Sequence, residues 1–196
     1  MLYKNVKADL LSIDERELSR RLGSPDVKEY ASMPQWSRLL DVLDPSYSAE
    51  RVSLKRSEGG IYIGECFTAS SGFRKAAEGA DECYVMACTL GLGVDKLIAK
   101  EQSISTYGAF VTDAMADALI EALADFAERE ICDGLITSPR FSPGYADLEL
   151  RVGTDIVLLL GAGVRQGIRF TESGLMVPRK SITAIIPIKR NGKCEK

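Results

Sequence analysis

A chain of 196 residues is long enough for one well-buried core and short for two, and its 45% hydrophobic and 27% charged residues with only 7 prolines exclude disordered, collagen-like and disulfide-scaffold classes. Twenty-five Lys+Arg against 28 Asp+Glu leave a net charge of -3, which gives a nucleic-acid backbone no general cationic field. The absence of histidine excludes a Ser-His-Asp triad, a Cys-His pair, a His-ligated zinc and an imidazole base, so any chemistry must use carboxylates, Arg, Lys, Tyr, Cys or a borrowed cofactor.

Residues 3–8 read as a short strand. Ser12-Ile-Asp-Glu15 has capping-box spacing, which predicts a helix from about Ile13 to Leu22 that stops at Gly23. Ser24-Pro25-Asp26 is a second start signal, leading into a helix interrupted near Pro34 and ending before Asp44-Pro45. The first fifty residues therefore read as mainly helical. From Arg51 the period changes, and VSLKR and IYIGECF around Ser57-Glu58-Gly59-Gly60 predict a hairpin.

A short helix over 71–79 and an apolar strand, CYVMACTL, follow. Gly91-Leu92-Gly93 then turns the chain into the helix VDKLIAKE; this lone G-x-G serves a tight turn as readily as a phosphate. The longest element spans about Thr106 to Ile131, with Phe110, Ala114, Ala118, Ala122 and Phe126 in an apolar stripe of helical period. After it come the turn-rich SPRFSPGYADLEL, a short helix near TDIVLLLGAG, a strand around Gly167 to Thr171 and a final strand from about Ser181 to Ile188. Strands and helices do not alternate regularly, so the fold class is α+β, an antiparallel or mixed sheet packed with helices. No internal linker divides residues 1–196, and residues 189–196 form a polar tail.

Three segments carry candidate chemistry. On the long helix Asp113, Asp117, Glu121 and Asp125 recur every four residues, either as a solvated face or with Asp117 and Glu121 facing a pocket that receives a cation such as Arg140 or a ligand ammonium. Arg140-Phe-Ser142-Pro-Gly144-Tyr145 places a guanidinium suited to a carboxylate and a tyrosine suited to an aromatic or sugar on an irregular backbone; the alternative is a structural turn. Thr171-Glu172-Ser173 precedes the last strand, where Glu172 either caps a turn or meets a ligand. Five cysteines, odd in number and without a C-x-x-C pair, read as reduced thiols behaving as small hydrophobes, with Cys194 the reactive exception. No metal site is expected, and without a leader or a bilayer-length apolar run the protein is expected to be soluble and cytoplasmic.

In order and spacing, these segments resemble the activation domain of vitamin B12-dependent methionine synthase, in which a D-x-x-x-E helix precedes an R-x-x-x-G-Y loop and a T-E-S-x-x-M-x-P-x-x-S-x-S strand entry. The matching residues are Asp117 with Glu121, Arg140 with Gly144 and Tyr145, and Thr171-Glu172-Ser173, Met176, Pro178 and Ser181, with Thr183 in the last place. The likeness covers about residues 80 to 188. It implies a curved, mainly antiparallel sheet and a site for S-adenosylmethionine, whose methyl transfer drives reduction of inactive cobalamin with an electron from flavodoxin or another donor.

By that likeness Arg140 would hold the methionine carboxylate, Asp117 and Glu121 the cationic end, and Ser142, Gly144, Tyr145 and Glu172 the pocket wall. With no histidine the chain has no Asp-x-His-x-x-Gly cobalamin loop. It is therefore expected to act in trans on a cobalamin-dependent methionine synthase or other corrinoid protein, as a component of reactivation rather than a free enzyme. The upstream acid that the family also uses at this site has no counterpart in the sequence reading. A docking protein for a corrinoid partner, and a small-molecule binder unrelated to cobalamin, remain the alternatives.

Overall fold

A computed structural model describes residues 1–23 and 30–190. The elements are β1 (Leu2–Asn5), α1 (Glu15–Leu22), α2 (Pro34–Val42), β2 (Ser46–Ser57), β3 (Gly60–Ile63), β4 (Cys66–Thr68), α3 (Ser71–Ala76), β5 (Ala80–Thr89), α4 (Leu92–Ile104), α5 (Thr106–Ile131), α6 (Arg151–Leu159), α7 (Ala162–Arg165), β6 (Arg169–Phe170), β7 (Met176–Val177) and β8 (Ser181–Lys189). Short 3-10 turns at Ala8–Leu10 and Tyr30–Ser32 precede α1 and α2.

The main sheet runs β4-β3-β2-β5-β8, with β1 on β2 beside the β3 hairpin, and every pairing is antiparallel. This is the expected α+β class, with the mixed-sheet option removed. Helices cover both faces. Tyr47, Met86, Cys88, Ala184 and Ile186 on one face pack with α1, α2, α4 and α5; Leu54, Cys83, Val85, Ala87 and Ile185 on the other pack with Phe73 of α3 and with Val152 and Ile156 of α6. Burial of both faces explains why CYVMACTL is apolar throughout rather than alternating.

Helix α5 matches its expected span, capped at its start by the Ser105 hydroxyl, which accepts from the Gly108 amide at 3.1 Å. Met115, Leu119 and Leu123 are its most buried large side chains. Several boundaries move. Asp14, not Ser12, caps α1, because its carboxylate accepts from Arg16 N–H at 2.8 Å; the helix begins at Glu15 and ends on left-handed Gly23. The expected start at Ser24-Pro25-Asp26 lies outside the described residues, while Pro34 occupies the first turn of α2.

Strand β2 begins five residues before Arg51, where the change of period was expected, since Ser46, Tyr47, Ser48 and Ala49 are buried between β1 and β5. IYIGECF is two strands, β3 and β4, rather than one. β6 and β7 form a separate small hairpin ahead of β8.

Candidate functional site

The Arg140 segment is fixed to the free edge of β8. Phe141 and Ile185 exchange two backbone hydrogen bonds of 2.9 Å, and Ser138 N–H donates to Pro187 C=O at 2.9 Å. In this strand-like stretch neighbouring side chains point to opposite sides. Phe141 therefore packs on Phe73, ring centroids 5.6 Å apart, and Arg140 turns toward α5.

There the acidic row meets its cations. Arg140 Nη1 donates to Asp125 at 2.9 Å and Glu128 at 3.0 Å, and Nη2 donates to Glu121 at 3.1 Å. A guanidinium has five N–H donors, so Nε–H and one Nη2–H remain uncommitted among the described residues. The side chain is only 19% exposed. Burial opposes its charge, but the hydrogen bond it donates to Asp125 and the charges of Asp125, Glu128 and Glu121 outweigh burial and hold the guanidinium above its ordinary pKa.

Asp117 is engaged elsewhere. One carboxylate oxygen accepts from Lys180 at 2.5 Å and the other from Arg21 at 2.9 Å. Lys180, itself buried, also pairs with Asp113 at 2.9 Å. The row is a file of ion pairs: Glu121 receives Arg140, as the second reading expected, while Asp117 receives Arg21 and Lys180, so that α1, the β7–β8 connection and the edge segment are brought onto one side of α5.

Beside Arg140 lies a cavity of about 250 Å³ lined by Asp14, Glu17, Ala118, Glu121, Ala122 and Asp125. Its lining holds four carboxylates, of which Glu121 and Asp125 pair with Arg140 and Glu17 pairs with Arg20 and Arg21. Asp14 and Glu17 were not singled out in the sequence, because their capping and surface positions read as purely helical. Glu128 also escaped it, although its spacing of three and seven from Asp125 and Glu121 places it on the same face.

The other expected residues lie apart from this cavity. The Tyr145 ring stands edge-on to Phe141 at 5.3 Å and is 67% exposed. Its amide donates to Ser142 C=O at 3.0 Å, and Gly144 N–H donates to Leu148 C=O at 2.8 Å, so residues 142–148 close as a compact loop. Asp147 anchors that loop, accepting from the Ser70 and Ser71 hydroxyls and from the Ser71 and Gly72 amides at the start of α3. The hydroxyl bonds of Ser70 and Ser71, with those two amides, hold the Asp147 carboxyl far below its usual range.

Glu172 is exposed in the β6–β7 turn, where Thr171 and not Glu172 makes the turn hydrogen bond, to Leu175 N–H at 3.1 Å. Leu150 joins the two loops, its methyls lying against Gly144 and Gly174. The structure therefore gathers Asp117, Glu121 and Arg140 around α5, and Ser142, Gly144, Tyr145 and Glu172 around a neighbouring loop surface. Among the described residues no group of three or more Cys, Asp and Glu could hold a metal ion, and no helix is long and apolar enough to cross a membrane.

The architecture, an antiparallel sheet with helices on both faces, matches the fold of a methionine synthase reactivation domain. A crystal structure of the MetH reactivation domain bound to AdoHcy superposes with a TM-score of 0.70, covering 98% of this chain and 79% of that one at 19% sequence identity. No protein-family model and no curated protein matches the sequence.

Proposed function

We propose that residues 1–196 form one reactivation-domain-like unit that binds S-adenosylmethionine and supports reductive remethylation of cobalamin held by a partner methionine synthase or other corrinoid protein in the cytoplasm. The observation that carries this reading is Arg140, mostly buried beside an acidic cavity with two N–H donors still uncommitted. A ligand carboxylate can take those donors without breaking the bonds to Glu121, Asp125 and Glu128. The surrounding carboxylates favour an ammonium and a sulfonium.

In this reading Asp14, which caps α1, and Glu17 in its first turn take the place of the upstream acid that the sequence did not supply. Asp117 acts through Arg21 and Lys180, holding α1 and the β7–β8 connection in position, rather than by touching ligand. Gly144, Tyr145 and Glu172, exposed on the adjoining loops, and the half-buried Ser142 form the approach to the partner's corrinoid. That corrinoid, when bound, supplies the methyl acceptor, with flavodoxin or another donor supplying the electron.

A second reading, a docking protein that binds no S-adenosylmethionine, is favoured by one observation: Arg140 already has three carboxylate partners. Reactivation of an oxidised corrinoid-loaded methionine synthase lacking its own activation domain separates the two. The proposal predicts that turnover returns only when this protein, S-adenosylmethionine and an electron donor are all present. Partner binding with no return of turnover supports the docking reading, and no partner binding rejects both.

A further inference from the structure

Toward the N-terminal end of α5 lies another cavity, of about 270 Å³, between α4, α5 and the β7–β8 connection. Its walls follow from helical spacing. Ile98 and Gln102 share one face of α4, Ala109, Phe110 and Asp113 one side of α5, and Arg179 closes the groove between the two helices. Ile98 and Ala109 are buried and Phe110 is half-exposed, so the lining is apolar at depth and aromatic near its mouth.

Two opposite charges face this apolar space without pairing with each other. Asp113 gives one carboxylate oxygen to Lys180 at 2.9 Å, and its second oxygen takes no hydrogen bond among the described residues. Arg179 is held by its backbone, whose N–H donates to Asp95 on α4 at 2.8 Å, while its exposed guanidinium makes no ion pair among the described residues. Lys180 is buried and bonded to Asp117 as well, which fixes the same connection from its other side. The cavity is separate from the one beside Arg140: Glu121, on that wall, lies about 12 Å farther along α5 than Asp113, at about 1.5 Å per residue.

A carboxylate oxygen and a guanidinium fork on either side of a small apolar cavity match a compact zwitterion. We propose that the cavity binds a free α-amino acid with an apolar side chain. Arg179 takes its carboxylate and the second oxygen of Asp113 its ammonium, while Ile98, Ala109 and Phe110 hold the side chain and the Gln102 amide adds a neutral polar wall. The identity of that amino acid as methionine, the product of a methionine synthase partner, rests on the functional reading above; the site itself rests on its lining.

The test is calorimetric titration of the whole protein with L-norleucine and L-methionine, beside hexanoate, which lacks the ammonium, and pentylamine, which lacks the carboxylate. Both amino acids should bind saturably and at least tenfold more tightly than either fragment. Arg179→Gln, a change at an exposed side chain, should weaken both amino acids at least tenfold and leave S-adenosylmethionine affinity unchanged. Phe110→Ala should weaken them in part, with melting curves confirming that each variant folds, and Arg140→Ala should leave them unchanged. Absence of saturable amino-acid binding at millimolar concentration overturns the site, as does binding that survives Arg179→Gln or is lost in a folded Arg140→Ala. L-norleucine binding that depends on Arg179, in a protein that binds no S-adenosylmethionine even with the corrinoid partner present, upholds the site while the functional reading falls.

Discussion

Arg140 is where charge and burial meet most sharply. Arg140→Ala leaves Glu121, Asp125 and Glu128 facing one another without a cation, and since those acids are partly exposed we expect a cost of about 2 kcal/mol, or about 5 °C in melting temperature. Arg140→Lys should recover part of the stability but little ligand affinity, because an ammonium cannot reproduce the planar fork. Thermal melts of both variants check the first statement and ligand titration the second. Lys180 makes a comparable case. Lys180→Met keeps the volume but strands Asp113 and leaves Asp117 to Arg21 alone, and should also cost about 2 kcal/mol by chemical denaturation. Arg140 was legible in the sequence because prolines and a glycine flank it. Lys180 was not, since nothing local in Pro-Arg-Lys-Ser shows that the side chain crosses to α5.

The loop from Phe141 to Leu150 shows how far one element depends on others. Its ends are set by β8 and α3, through the Phe141–Ile185 bonds and the Asp147 carboxylate, and its centre by Gly144 at φ +87. A Cβ at Gly144 would lie 2.8 Å from a Leu150 methyl in a left-handed conformation, so Gly144→Ala should lose about 1–2 kcal/mol in denaturant unfolding and displace Leu150 and Tyr145. The long helix needed no such support to be recognised. Its apolar period runs without a break over the expected span, and the Ser105 hydroxyl caps its start. The first residues of β2 did not show for the opposite reason: Ser46, Tyr47, Ser48 and Ala49 are buried by two neighbouring strands, a tertiary condition that period and composition do not carry. The ion pairs along α5 fall between these cases. The four-residue spacing gave the row, but its partners come from residues 21, 140 and 180.

At the scale of the whole molecule, the protonation equilibria set a pH window for stability. Burial raises the thiols of Cys66 and Cys88 to about 12 and that of Cys132 to about 11, from an ordinary value near 9. The fold favours the neutral thiol, so this contribution is complete below about pH 9 and is lost as pH rises through the folded-state values. Glu130 lies below its ordinary value through hydrogen bonds from Lys4 and Tyr47, and Glu149 through one from Thr68. Their contribution is complete above the ordinary carboxylate range and is lost as pH falls below it. Urea melts across pH should therefore show a plateau between about pH 5 and 9 with decline on both sides, and Cys66, Cys83, Cys88 and Cys132 should alkylate slowly at neutral pH. The sheet class was visible in the irregular order of strands and helices. That helices cover both faces was implied by CYVMACTL, yet only strand order determines which helix lies on which face.

The central claim is that the Arg140 face binds S-adenosylmethionine, and calorimetric titration of the purified protein beside Arg140→Ala tests it most directly. The account predicts saturable binding to the unsubstituted protein, lost in Arg140→Ala while that variant still melts cooperatively. Binding that survives the substitution, or that is absent from the unsubstituted protein even with its corrinoid partner present, would contradict it.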